Sequence, residues 1–425
     1  MKQSPYPVEQ ILGMHYYVCE NEGIQGVLRE QAEDFIVHEI NDPVESAPSS
    51  GKYLICKLEK KNWELQRLVK EIAKILSVSH RRISWAGTKD KHAVTTQLIS
   101  LYDISETDIE NIHLKDVTLT PVGKSDQQLS LGDLQGNRFE ITLRSCVSDD
   151  LAGTVAQTDA CVKTGVPNYF GIQRFGVQRP VTHLVGKQIL LGDYREAVRT
   201  YVGFPSDGES EDVATARTDY LSDNDPKNAL ERLPVQMRYE RAILHHLIEK
   251  PDDFEGALRS IPPKLLSMFV SAYQSWLFNM GLSHRIGMGY TLSEPVLGDR
   301  ILFQTGKTDI ITESNAAQAT VLIKRGRATI CLEMPGEKTV PTESLSEKYI
   351  TDLMEADGIS YASFQKVWEL TGMSFKGAVR VISVSTTVTS EVCDDTVRLS
   401  FSLGPGQYAT TICREYMKAD PVRMI

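Results

Sequence analysis

Glu64-Leu65-Gln66-Arg67-Leu68-Val69-Lys70-Glu71-Ile72-Ala73-Lys74-Ile75-Leu76 decides how the first half of this chain is read. Leu65, Leu68, Val69, Ile72, Ala73 and Leu76 recur at i, i+3, i+4 and i+7, so residues 64–76 predict a helix. Its apolar stripe packs on a sheet and leaves Arg67, Lys70 and Lys74 outward. Asn62, before the run, is the expected cap. Around the helix, residues 34–40, 53–58, 95–101, 138–144, 379–385 and 397–403 are rich in β-branched and aromatic side chains. They often alternate, as Phe139, Ile141 and Leu143 do, and predict strands. The middle reads differently: residues 234–248, 254–259 and 264–285 predict helices, the last containing Ala272-Tyr273-Gln274-Ser275-Trp276-Leu277-Phe278-Asn279. Strand-rich ends around a helical middle predict one domain interrupted by another. Neither end has enough strands alone, so the C-terminal pair is expected to complete the N-terminal sheet.

Composition sets the outer limits. The 425 residues suffice for two or three domains at about 150 residues each. With 41% hydrophobic and 24% charged residues the chain has the composition of an ordinary globular protein. A formal charge of −10 excludes a wholly basic nucleic-acid-coating protein. The charge is unevenly spread. Residues 51–92 hold eleven Lys and Arg against four acids, whereas residues 205–225 hold seven acids and one Arg. The first stretch suits a polyanion; the second, rich in Ser, Asp and Gly, reads as a solvated surface loop. There is no run of about 18 apolar residues and no apolar signal core at Met1-Lys2-Gln3-Ser4-Pro5-Tyr6-Pro7, so a soluble cytoplasmic protein is expected, with no membrane contact. Cys19, Cys56, Cys146, Cys161, Cys331, Cys393 and Cys413 are scattered and odd in number, which fits reduced thiols and argues against a structural zinc site.

Two segments carry candidate chemistry. Trp85-Ala86-Gly87-Thr88-Lys89-Asp90-Lys91-His92-Ala93-Val94-Thr95-Thr96-Gln97 sets a carboxylate between two lysines beside a glycine. Flanking cations favour the ionised form that a nucleophilic carboxylate requires, although a solvated surface Asp is the plainer reading of such a loop. Gly165-Val166-Pro167-Asn168-Tyr169-Phe170-Gly171-Ile172-Gln173-Arg174-Phe175-Gly176 alternates rings with an amide, a glutamine and an arginine. Rings can stack on an unpaired base while amides read its edge. Two other patterns are set aside. Gly306-Lys307-Thr308 lacks the first glycine of a phosphate loop, where Ile301 stands, and His245-His246 are adjacent rather than three or four apart.

The run Gly87-Thr88-Lys89-Asp90-Lys91-His92-Ala93-Val94-Thr95-Thr96-Gln97 resembles the Gly-x-Lys-Asp-x-x-Ala-x-Thr-x-Gln signature of the TruD family of pseudouridine synthases. Pro167 to Gly176 is similar to that family's Asn-x-Phe-Gly-x-Gln-Arg-Phe-Gly signature. Three further stretches agree in order: Glu33-Asp34-Phe35-Ile36-Val37-His38-Glu39, then Gly136-Asn137-Arg138-Phe139 with Leu143-Arg144, then Gly404-Pro405-Gly406-Gln407-Tyr408-Ala409-Thr410 with Arg414-Glu415.

The resemblance implies an α+β protein. It would have a mixed or antiparallel-sheet pseudouridine synthase catalytic domain at 1–190 and 384–425, an inserted α/β TRUD domain at 191–383, and a cleft between them. It implies isomerisation of uridine to pseudouridine in RNA, by default uridine 13 of tRNA, without cofactor or metal. A large enclosed cleft needs no second subunit, so a monomer is expected. Asp90 would be the catalytic aspartate, either adding to C1′ as in retaining glycoside hydrolysis or assisting proton removal on a glycal-type route. The target base has to be flipped out, at about a few kcal/mol. By resemblance Phe35 and Tyr408 flank it, Asn168 partners the carboxylate or the uracil edge, and Phe170 lies nearby. Bacterial members carry a lysine six residues before this phenylalanine, where this chain has Arg29. A guanidinium almost never deprotonates, so pairing with Asp90 or phosphate is expected there. Lys89 is a second candidate cation. Two other function classes fit the same residues: a non-catalytic RNA-binding or RNA-folding protein, and a nucleoside glycosidase that releases uracil.

Overall fold

In the computed structural model, which describes residues 1–41, 51–206 and 208–424, the apolar stripe becomes the helix Leu65–Ile75. Leu65, Leu68, Val69, Ile72 and Ala73 are buried with Leu54, Cys56, Leu58, Ile99 and Leu101 in one core cluster. Each large apolar side chain so removed from water contributes about 1.5–3 kcal/mol. The cap is Glu64 rather than Asn62: its carboxylate accepts the N–H groups of Gln66 at 2.9 Å and Arg67 at 2.7 Å. Asn62 instead turns the chain at φ +59°, because the preceding strand runs on to Lys61.

That strand belongs to a nine-stranded sheet. In chain order its strands are β1 (Gln25–Leu28), β2 (Phe35–Ile40), β3 (Tyr53–Lys61), β4 (Ile83–Trp85), β5 (Val94–Tyr102), β6 (Val117–Ser125), β7 (Gly136–Cys146), β8 (Thr389–Cys393) and β9 (Thr396–Leu403). The spatial order is β8-β9-β7-β2-β5-β3-β6, with β1 added to β7 and β4 to β5. The β2–β5 pair is parallel, with Ile36 opposite Val94, and the other pairs are antiparallel. The segments leading into β2 and β5 therefore reach the same end of the sheet. Antiparallel β3 delivers Lys60 and Lys61 there, opposite Thr95 and Val94. Phe35, Phe139 and Phe401 are buried in a row, their ring centroids 6.1 Å and 5.6 Å apart. Arg144 holds Asp34 through both carboxylate oxygens at 2.7–2.9 Å, a bidentate pair that joins two of the quoted motifs.

The predicted C-terminal strand pair divides differently. Ala378–Val381 pairs with Ala328–Met334, and Ser383–Val384 pairs with Val166–Pro167, so neither extends the nine-stranded sheet. Its place beside β9 is taken by β8, whose residues are mostly exposed. An edge strand of this kind carries no apolar alternation to read.

The chain divides into two compact units, Cys19–Thr164 with Ser385–Ile425, which holds the nine-stranded sheet, and Met1–Val18 with Gly165–Val384. Their edges at 164/165 and 384/385 differ from the 190/191 and 383/384 read from sequence, and the first eighteen residues join the middle unit. Long-range bonds hold those first residues: the Asn279 amide donates to the Leu12 carbonyl at 2.9 Å and Ser283 Oγ to the Gly13 carbonyl at 2.6 Å.

The middle unit is built on the 25-residue helix Pro263–Gly287, packed against Thr182–Leu191 and Leu345–Ala356. It also holds a four-stranded antiparallel sheet in the order Thr308–Ile310, Arg300–Phe303, Ala328–Met334, Ala378–Val381. Gly306-Lys307 is the hairpin turn of that sheet, with Gly306 at φ +80° and the Phe303 N–H donating to the Lys307 carbonyl. His246 pairs with Asp253 at 2.8 Å.

The acidic stretch is not a loop. It forms the helix Glu211–Asp223, which buries Val213, Ala216, Arg217 and Tyr220 at helical spacing. Arg217 pairs with Glu209 at 2.9 Å and Glu240 at 3.3 Å. Abundant Ser and Asp hid a narrow buried face; Asp207 of that stretch lies outside the described residues. No described helix is long and apolar enough to cross a membrane.

Candidate active site

Asp90 sits on the connection 86–93 between β4 and β5, with 53% of its side chain exposed. Arg29 Nη2 donates to its Oδ2 at 2.8 Å. Arg29 is itself held in place: its backbone is left-handed at φ +62°, and its guanidinium lies 4.0 Å from the centroid of the Phe35 ring. A ring below and a carboxylate beside suit a planar cation. Lys60, 1% exposed, occupies an inward position of β3. Its Nζ donates to the main-chain carbonyl of Asp90 at 2.7 Å and to that of Trp63 at 2.8 Å. Burial pulls the Lys60 ammonium down to about 8, with Asp90 and Glu64 opposing the shift and Lys89 adding to it.

Lys89, one of the two flanking lysines, pairs elsewhere. Among the described residues the ion-pair partner of Asp90 is Arg29. Lys89 is buried against the carboxylate of Glu39, whose other oxygen accepts the Leu98 N–H at 3.2 Å. The Gln97 amide donates to the Gly87 carbonyl at 3.0 Å, so the start of the connection is tied to the sheet.

Phe35, expected beside a base, is 1% exposed and lies beneath Arg29, so it supports the guanidinium instead of offering a free face. Tyr408 is 47% exposed at the start of the helix Ala409–Met417. That helix runs beside Arg29. Burial pushes its Cys413 thiol up to about 12, against the opposing charge of Arg29. A cavity of about 860 Å³ in the same unit is lined by Ile36, Glu140, Thr142, Arg398 and Ser400 among others, and by none of the candidate residues.

In the other unit Asn168 is buried and fully engaged. Its amide donates to the Val381 carbonyl at 2.8 Å, and its Oδ1 accepts from Arg380 at 2.6 Å. Arg380 also lies 4.0 Å from the centroid of the Phe170 ring, which is edge-on to Phe278 at 5.6 Å. Asn279 closes the Phe170 backbone from both sides, accepting its N–H at 2.9 Å and donating to its carbonyl at 3.0 Å. Arg174 donates to Ser275 Oγ at 3.0 Å. Gly176 ends the stretch at φ +99°, where a Cβ would meet the Arg179 carbonyl oxygen at 2.4 Å.

The family model described as tRNA pseudouridine synthase D (TruD) matches residues 11–416. The chain belongs to the TruD family. A Methanococcoides burtonii protein named "Probable tRNA pseudouridine synthase D" is 39% identical, covering 98% of each chain. A Methanosarcina barkeri protein of the same name is 40% identical, covering 98% of this chain and 99% of its own. The crystal structure of a Methanosarcina mazei protein named "Putative tRNA pseudouridine synthase D (TruD)" superposes with a TM-score of 0.85 at 38% identity, covering 99% of this chain and all of that one.

In this TruD chain the sequence reading passed over Lys60, Glu39 and Arg380. Lys60 and Glu39 fall in the inward phase of their strands, after Leu54, Cys56 and Leu58 in one and Phe35 and Val37 in the other. A charge in an apolar phase is a readable sign of a buried partner. Arg380 gave no such sign, because its strand was assigned to the wrong sheet.

Proposed function

We propose that this chain converts uridine to pseudouridine in tRNA, at position 13, with Asp90 as the working carboxylate and with no cofactor or metal. The observation that carries this reading is a half-exposed Asp90 carboxylate on a connection fixed to the sheet, with a guanidinium at 2.8 Å. The names of the relatives add the substrate class and the reaction.

The reaction breaks the N1–C1′ bond, turns the uracil and joins C5 to C1′; C5 gives up its proton and N1 gains one. Asp90 serves it by adding to C1′ or by taking a proton from the sugar, and both routes need an accessible anionic oxygen. Arg29 pairs with that oxygen from a fixed seat on Phe35. Tyr408 supplies an exposed aromatic face for the extruded base. Lys89, Asn168 and Phe170 hold their own loops in shape. Exposed Arg67, Lys70, Lys74 and Arg81 form a basic surface suited to tRNA phosphates, so binding weakens with salt.

The test is pseudouridine mapping on unmodified tRNA incubated with purified protein. The wild type is expected to modify uridine 13, and Asp90→Asn to lose at least about 100-fold in rate. An Asn variant with the normal rate overturns the assignment of Asp90. A wild type that binds tRNA without modifying it indicates the non-catalytic class, and release of free uracil indicates a glycosidase.

A further inference from the structure

Lys60 occupies a place where β3 has otherwise put apolar side chains, and a methionine there would satisfy the inward phase. Its ammonium instead reaches out of the sheet to two main-chain carbonyls, those of Asp90 and Trp63, thirty and three residues away in sequence. The connection 86–93 turns the Asp90 carbonyl toward the sheet, and a buried carbonyl without a donor is costly. Arg29 touches the other part of the same residue, the carboxylate. One cation thus grips the Asp90 peptide and another its side-chain tip. Two fixed points define the direction of a short side chain where either alone leaves it free to rotate.

We infer that Lys60 is a positioning residue for catalysis: its buried ammonium fixes the Asp90 peptide so that the carboxylate meets the sugar carbon. It acts through Asp90 and does not itself reach substrate, so the inference rests on the assignment of Asp90 above. The charged groups facing it are Asp90 and Lys89 on the connection and Glu64 at the head of the helix Leu65–Ile75. Because burial lowers this ammonium to about 8, the grip weakens as pH rises through that value and one of the three N–H donors is lost.

The experiment is steady-state kinetics on tRNA between pH 6.5 and 9.5 for the wild type, Lys60→Met, Lys60→Gln and Asp90→Asn, with thermal melts of each. The expected result is a wild-type kcat that declines through an inflection near pH 8. Lys60→Met is expected to be about tenfold to a hundredfold slower, with KM within about twofold and no inflection. Lys60→Gln, which keeps two N–H donors on a shorter, neutral side chain, recovers part of the rate. A purely structural lysine moves the melting temperature but neither the inflection nor the split between kcat and KM. Wild-type kcat in a folded Lys60→Met, a loss confined to KM, or the same inflection in that variant overturns the inference. If neither lysine variant folds, a flat wild-type profile from pH 7 to 9 overturns it. An active Asp90→Asn shows that the assignment of Asp90 has failed; an inactive Asp90→Asn beside a normal Lys60→Met shows that only the positioning role has.

Discussion

The two loops that carry the longest family signatures use polar side chains in opposite ways. Around Asp90 the polar groups of the connection hold the backbone and leave the carboxylate in the open, touched by Arg29 alone among the described ion pairs. Around Asn168 the polar groups are themselves the fastening: amide, Arg380, Asn279 and Ser275 bond to one another and to backbone, and little is left over. A signature therefore does not say which of its residues faces a substrate. Burial and hydrogen-bond completeness separate a residue free to react from one that keeps a loop in shape.

That contrast breaks most readily at Asn168. Asn168→Ala removes an amide donor from the Val381 carbonyl and an acceptor from a guanidinium, and it is expected to destabilise the protein by about 2–4 kcal/mol in denaturant unfolding. Asp90→Ala, at an exposed position, is expected to change stability by less than about 1 kcal/mol. Equal losses from the two variants would erase the distinction.

Acid tests the same contrast through His183, which is buried against Phe175 and Trp276 beside the second signature. Burial, aided by Lys187, lowers its pKa to about 4 from an ordinary 6.5. Between those values the unfolded chain binds the proton and the folded one does not, so stability is lost as pH falls from about 6.5 and the loss is complete below about 4. The expected loss is about 3 kcal/mol between pH 7 and pH 4. Unfolding midpoints measured across that range in the wild type and in His183→Phe check it, the variant showing the flatter curve.

The smallest expected effect sharpens the open side of the comparison. Arg29→Lys keeps the charge but loses the flat contact with Phe35, so Asp90 gains freedom and the rate is expected to fall about tenfold with little change in melting temperature. A rate unchanged by this substitution would mean that the seat on Phe35 is irrelevant to the carboxylate.

Much of the architecture could be read locally. The amphipathic helix, five of the nine strands of the large sheet and the long helix Pro263–Gly287 come from patterns strong enough to survive without context. What failed to show were elements whose pattern is weak because of where they lie. The edge strand β8 is mostly exposed, and Glu211–Asp223 buries only a narrow strip under an acidic surface. Asp90 draws attention through its neighbours in sequence, yet its partners in space, Arg29 and Lys60, stand 61 and 30 residues away.

The sequence by itself determined the family signatures and where along the chain their polar residues stand, because residue types and motif spacing are local properties. It also determined which segments become helix or strand wherever one face is buried along their whole length. Only the tertiary structure decided that β2 and β5 run parallel. That pairing brings the approach to β2, the end of β3 and the connection into β5 to one end of the sheet. Burial then sorted the candidates, turning Phe35 into a seat for a guanidinium and Asn168 into a fastening, because a side chain's use depends on what its neighbours leave unsatisfied.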